Sequence, residues 1–212
     1  MSVFAFYCVK MCIFAKILAA KGYQILCHDR PSTILSAKMF INDDTISLRC
    51  AEPGDAQQIY RWENDRGVWR VSGTYAPFSQ FHIEQFLLNN NDLFSQKQLR
   101  LMIDLMTTRE SIGCIDIYDY DAINSRAGIG ILIDEKHRRQ GYAAKALKLC
   151  LDYLFRDLVL HQAHCVVDEI NVDSQKLFEN QGFVLCGRRK DWLKMAEGFI
   201  DELEYQLING SE

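Results

Sequence analysis

Apolar and polar residues alternate over "TISLRCA" (Thr45–Ala51), the period of a short strand. "EPGD" breaks that pattern, and Asp55 stands where it can cap a helix over "AQQIYRWEND". A second short helix follows in "YAPFSQFHIEQFLLNN", with Ser79 as its cap and Ile83, Phe86 and Leu87 on its apolar side. "LRLMIDLM" (Leu99–Met106) is a strand, "TTRES" turns it, and "IGCIDIYDYD" is its hairpin partner. Gly113 inside that partner marks a bulge or a close backbone approach. "AINSRA" turns again into "GIGILID", an apolar run that predicts a buried strand. From Tyr142 to Phe155 the apolar positions Ala143, Ala146, Leu147, Cys150, Leu151 and Leu154 recur at helical spacing, with Lys145, Lys148 and Asp152 opposite. "AHCVVDEI" is the next strand. "NVDSQKLFENQGF" is a helix with Asn171 as N-cap, Leu177 and Phe178 turned inward and Gly182 just past its end. The chain closes as a hairpin that turns at Gly198.

The resulting order, β-α-α-β-β-β-α-β-α-β-β, contains a strand–helix–strand unit. Such a unit needs a crossover and so a parallel pair. The expected fold class is α+β, an α/β sandwich on one mixed sheet. The segment before residue 39 follows another pattern. "VFAFYCVKMCIFAKILAAKGYQIL" is apolar but interrupted by Lys10, Lys16 and Lys21. It falls short of the ~18 apolar residues of a membrane span, so no stable membrane insertion is expected. Lys10 also lies within the apolar region, where a signal peptide would carry its charge ahead of it. Residues 1–38 are read as a poorly ordered or loosely packed extension, an interfacial helix, or a segment foreign to the natural protein that starts at Met39. The last reading is preferred, and residues 39–212 form the expected domain.

Composition narrows the function. The chain has 212 residues, 49% hydrophobic and 25% charged, with a net charge of −4, which suits a single core and offers no basic footprint for nucleic acid. None of its eight cysteines forms a C-x-x-C pair, and the five histidines are scattered, so no metal site is expected. Cysteines inside apolar runs read as reduced core thiols of a cytoplasmic protein.

The stretch with candidate chemistry joins the buried strand to the long helix. It lacks G-x-x-x-x-G-K-[ST], and the pair Gly128 and Gly130 has no third glycine to complete G-x-G-x-x-G. It does fit [RQ]-x-x-G-x-[GA], as Arg138-Arg139-Gln140-Gly141-Tyr142-Ala143. A glycine at the mouth of a helix lets successive N–H groups and the helix dipole face a pyrophosphate, and the arginines can add charge-assisted bonds. About 30 residues on comes "N-x-x-S-x-x-L-F-E-x-x-G-F". With these motifs the sequence resembles the GNAT superfamily of acetyl-CoA-dependent N-acetyltransferases, roughly from Thr45 to Ile208. It is similar in particular to the subgroup of ribosomal-protein alanine and spermidine N-acetyltransferases. The residues that carry this are Leu48-Arg49, Glu52–Asp55 and Ile59–Asp65 at the start, and Trp192, Gly198, Asp201 and Tyr205 at the end.

The resemblance implies the acyl-CoA N-acyltransferase fold, a mixed central sheet with a splayed parallel strand pair and flanking helices. Acetyl-CoA would lie in the wedge as co-substrate. Its pantetheine would pair with the backbone of Ile131, Leu132 and Ile133, and its pyrophosphate would sit on Arg138, Arg139, Gln140, Gly141, Tyr142 and Ala143. Asn171, Ser174 and Phe178 match motif positions beside the cofactor arm. An amine would attack the thioester directly, with a backbone N–H near Leu132 or Ile133 steadying the oxyanion. Many relatives carry a tyrosine at the position of Phe178 to protonate the leaving sulfur. Ser174, Tyr142 or a water would have to substitute here. Asp116 and Tyr118 are the candidates to take the amine's proton. Glu63 and Asp65 would attract a cationic amine, although they, Asp116 and Asp119 also read as plain surface carboxylates, and Trp62, Trp69 and Tyr75 read as core aromatics ahead of walls of an acceptor pocket. The expected acceptor is a polyamine such as spermidine, a protein N-terminus or a small amine, with a homodimer left open. The rival reading, prompted by Phe178, is a non-catalytic acyl-CoA-binding regulatory module.

Overall fold

The computed structural model describes residues 41–210 apart from 73, 75 and 90. The extension 1–38 and the proposed pocket wall Tyr75 lie outside these residues. Eight strands form one sheet among the described residues, in the order β1-β2-β3-β4-β5-β6-β8-β7. They are β1 (Ile41–Asn42), β2 (Ile46–Cys50), β3 (Leu99–Leu105), β4 (Ser111–Asp121), β5 (Arg126–Ile133), β6 (Gln162–Asp168), β7 (Val184–Met195) and β8 (Gly198–Ile208). The helices are α1 (Ala56–Glu63), α2 (Arg66–Ser72), α3 (Gln80–Asn89), α4 (Tyr142–Asp152) and α5 (Val172–Glu179). The mixed sheet has one parallel pair, β5 with β6, joined through α4.

Each face of the sheet has its own core. On one face the apolar stripe of α4 (Ala146, Leu147, Cys150, Leu151) meets Ile115, Ile117 and Ile129 of the central strands, and Phe178 of α5 joins the same cluster. On the other, Ile59 and Trp62 of α1 and Ile83 and Leu87 of α3 cover Met102 and Cys114. Burial of these side chains, at roughly 25 cal/mol per Å² of apolar surface, holds helices too short to persist alone.

Several local readings are refined. Ser79 does cap α3, accepting from His82 N (3.1 Å). Asp55 does not cap α1 through its side chain. Its carboxylate instead takes two bonds from Arg49 and one from Glu52 N, because a buried guanidinium demands a partner more strongly than an exposed helix end does. Residues 66–72, given no element by pattern, form α2 behind Asp65, whose carboxylate accepts from Gly67 N (2.8 Å). The long helix passes into a π turn, Tyr153–Asp157. Gly113 meets both readings made of it. The β3–β4 register shifts beside it, and a Cβ there would lie 2.2 Å from Leu132 O. In the last hairpin β8 is the inner strand, because it carries the buried Leu203 and Tyr205. The outer β7 is exposed and studded with Arg188, Arg189, Lys190 and Lys194, charges that discourage edge-to-edge pairing.

Candidate functional site

The site begins where a ladder stops. β5 and β6 pair only at Arg126↔Gln162, Ala127↔Ala163 and Gly128↔His164, although both strands continue. Beyond Gly128 they form a fork. On its other edge β5 stays paired with β4 as far as Ile133. Asp134 N donates to Ile112 O of β4 (2.8 Å). Backbone direction alternates along a strand, so Leu132 and Gly130 also face β4, while Ile131 and Ile133 face the fork. This corrects the expectation of three consecutive pairing residues: Leu132 spends its backbone groups inside the sheet.

At the open end of the fork lies the loop 134–141. Asp134 accepts from Lys136 N (3.2 Å) and from the indole of Trp62 (3.0 Å), which ties the loop to α1. Trp62 is buried in the α1–α3 core, so it braces this loop and does not wall a pocket. Arg138 Nε donates to the fork-facing Ile133 O (3.0 Å), and Gln140 Nε2 donates to Lys136 O (3.1 Å). These two residues hold the loop's shape in this state. Arg139 reaches toward Asp173 at 3.8 Å, and both are well exposed, a pair that competes weakly with a phosphate.

Gly141 takes φ +82°, and a Cβ there would meet nothing within 4 Å. The requirement for glycine is therefore the left-handed backbone, not lack of room. The first helical bond of α4 runs from Lys145 N to Gly141 O (3.2 Å). The N–H groups of Tyr142, Ala143 and Ala144 thus have no partner within the helix. They open at the positive end of its dipole, a site suited to an anion. On the opposite bank Asn171 caps α5 by accepting from Ser174 N (3.3 Å), and Ser174 is half-buried. Phe178 is buried, edge-on to Phe183 at 5.1 Å.

On the α1–α3 face the carboxylates are less free than their positions suggest. Arg100 clasps Asp116 with two bonds (2.7 and 2.8 Å), bonds Glu63 (2.6 Å) and lies 5.5 Å over the Phe86 ring. Asp119 is exposed, at φ +48° in a β4 irregularity. Tyr118 is half-buried beside this cluster, and burial pushes its phenol well above its usual pKa. Phe86, Arg100, Asp116 and Tyr118 line a small pocket of about 160 Å³.

A larger cavity of about 390 Å³ lies between α2, the end of β6 and the β7–β8 hairpin. Arg66, Trp69, Thr74, Asp168 and Lys194 are among its walls. Trp69, an expected wall, is there, and its indole donates to Glu63 O (2.8 Å). Asp168 was missed by pattern. It is 9% exposed and closes β6 three residues before the cap Asn171. A lone acid at a strand end carries no sequence signal until the fold shows what it faces.

A parallel pair that opens into a fork and meets a helix mouth defines the acyl-CoA-dependent acyltransferase frame. The acetyltransferase (GNAT) domain matches residues 45–184, and the chain belongs to that family. As a member of that acetyltransferase family it uses acetyl-CoA as co-substrate. It is 24% identical over 143 residues to spermidine N(1)-acetyltransferase of Escherichia coli K12, covering 68% of this chain and 75% of that protein. The fold matches Vibrio cholerae spermidine N-acetyltransferase in complex with CoA and spermine, with a TM-score of 0.70 and 23% identity over 78% of this chain and 96% of that one. It matches the ribosomal L7/L12 alpha-N-protein acetyltransferase RimL, in complex with CoA, equally well (TM-score 0.70, 19% identity, 78% and 95% covered). The reading as a non-catalytic binding module gives way to this membership.

Proposed function

We propose that the protein transfers the acetyl group of acetyl-CoA directly to a primary amine held in the cavity beside Asp168. The observation that carries this is the fork between β5 and β6, which opens at one end onto the loop and helix mouth at Gly141–Ala144. Ile131 and Ile133 offer fork-facing backbone groups for the pantetheine arm, and the α4 N–H groups take the pyrophosphate. The neutral amine attacks the thioester carbon, the C–S bond breaks, and the amine's proton leaves to solvent. Phe178 has no proton to give. A thiol pKa of roughly 8–9 makes the thiolate a tolerable leaving group, and the half-buried Ser174 is the hydroxyl on that bank of the fork.

Among acceptors the cavity's charges discriminate. A polyamine calls for several convergent carboxylates. The described walls include one, Asp168, beside the cations Arg66 and Lys194. That set suits a primary amine with an acidic group near it, as in a peptide N-terminus or an amino-acid-like molecule, better than spermidine. Reduced thiols at Cys114, Cys150 and Cys165 and the need for acetyl-CoA suit the cytoplasm.

The test is incubation with acetyl-CoA and a panel of spermidine, spermine, peptides with neutral and acidic first residues, and small amines, read by mass spectrometry. One added acetyl group on the acidic peptides, lost in the Arg138→Glu/Gly141→Asp variant, is the expected result. Acetylation of the polyamines alone would overturn the acceptor class. Absence of product across the panel despite acetyl-CoA binding would overturn the reading of the cavity as an amine site.

A further inference from the structure

The sequence holds a glycine pair, Gly128 and Gly130, that completes no nucleotide motif and that the phosphate loop does not use. The structure supplies its reason. Tyr118 of β4 pairs in register with Gly128 of β5. A Cβ on Gly128 would lie 2.3 Å from Tyr118 Cε2 and 2.5 Å from Cζ, and one on Gly130 would lie 3.9 Å from Cε1. The ring therefore lies flat across β5, in space that any other residue at position 128 would fill. The phenol end of the ring reaches over β5 toward the Val166 N–H of β6. That N–H would make the next rung of the parallel ladder after Gly128↔His164. His164 packs edge-on to the ring at 5.8 Å and fixes its tilt. Tyr118 thus stands at the closed end of the fork, bridging the two strands at the point where they part.

A cofactor whose pyrophosphate sits at the α4 mouth and whose arm runs down the fork brings its acyl end toward this closed end. A neutral phenol carries an O–H that can donate to an oxygen in the fork. We propose that Tyr118 donates a hydrogen bond to the thioester oxygen and to the oxyanion it becomes, with the glycine pair as the bed that places the ring. The step is ordinary addition and elimination. The amine lone pair forms the C–N bond, the carbonyl π electrons move to oxygen and return as the C–S bond breaks, and Tyr118 keeps its proton throughout. Burial favours the neutral phenol, which suits a donor and removes Tyr118 from the candidates for the amine's base. Preorganised donors of this kind are worth about 10²–10³-fold in turnover.

This inference rests on acetyl-CoA occupying the fork, and its test separates the two. Wild type and Tyr118→Phe, which keeps the ring on its glycine bed, are compared for acetyl-CoA affinity by calorimetry. The carbonyl stretch of bound, isotope-labelled acetyl-CoA is measured by infrared difference spectroscopy without any amine present. The expected result is unchanged melting temperature, affinity within about threefold, a carbonyl stretch shifted upward in the variant, and kcat down about 10²-fold. Gly128→Ala, which crowds the ring, is expected to show the same upward shift with weaker cofactor binding. An identical carbonyl stretch and kcat in Tyr118→Phe would overturn the role. Failure of the wild type to bind acetyl-CoA at all would instead sink the reading of the fork.

Discussion

The two edges of β5 differ in how far they are paired. Its β4 edge is paired without a break from Gly128 to Ile133, and its β6 edge stops at Gly128. The bonded edge is backed by a part-buried ion cluster, Arg100 with Asp116 and Glu63. The open edge is backed by glycines and by a helix mouth whose N–H groups lack helical partners. Buried backbone groups must be paired. An interior strand that leaves part of one edge unpaired keeps that edge open to a ligand. Stability is therefore concentrated on one edge and binding on the other.

The contrast fails if changes on the bonded edge alter cofactor binding more than folding, or the reverse on the open edge. The largest expected effect is from Arg100→Met. It leaves Asp116 and Glu63 facing each other without their cation and should cost about 3–5 kcal/mol of stability. Denaturant unfolding measures this, and acetyl-CoA affinity of the remaining folded protein should hold. Gly113→Ala, on the same edge, forces a methyl against Leu132 O and should cost about 1–3 kcal/mol. Gly141→Ala meets no atom but must hold a positive φ, at about 1–2 kcal/mol. Its signature is a cofactor dissociation constant that rises by more than the melting temperature would suggest. Equal responses of Gly113→Ala and Gly141→Ala in calorimetry would dissolve the distinction between the edges. Asn171→Ala removes the α5 cap and should cost about 1 kcal/mol.

The smallest perturbation is chemical. Burial pushes the thiols of Cys114 and Cys150 up to about 12. At pH 8 they carry almost no thiolate, the reactive form. Among the described cysteines, iodoacetamide followed by peptide mapping should label the exposed Cys50 and Cys186 first and reach Cys114, Cys150 and Cys165 only on unfolding. Early labelling of Cys114 would mean that the bonded edge opens in solution.

Much of the fold was legible in the sequence because its signals are local. Alternation marks the strands, 3.6-residue spacing marks α4, and Asn171 and Gly182 mark the limits of α5. Gly182 has φ +89°, and Phe183 N reaches back to Phe178 O as a helix end requires. The loop Arg138–Ala143 was legible for the same reason: a helix mouth and its glycine are contiguous in the chain. The carboxylates of the acceptor side were not. Whether Asp116 is free or clasped depends on Arg100, 16 residues away, and on Glu63, 37 residues from that arginine. The residues around the larger cavity come from α2, β6 and β7, which no short-range pattern links.

The sequence by itself determined the elements, the crossover that forces one parallel pair, and the glycine that turns the chain into a helix at a phosphate-binding angle. These follow from backbone sterics and local periodicity. The tertiary structure decided which edge of β5 stays open, which carboxylates are spent in ion pairs, and why two glycines face Tyr118. Each of these depends on which atoms of distant segments occupy the same few ångströms, and no single segment encodes that.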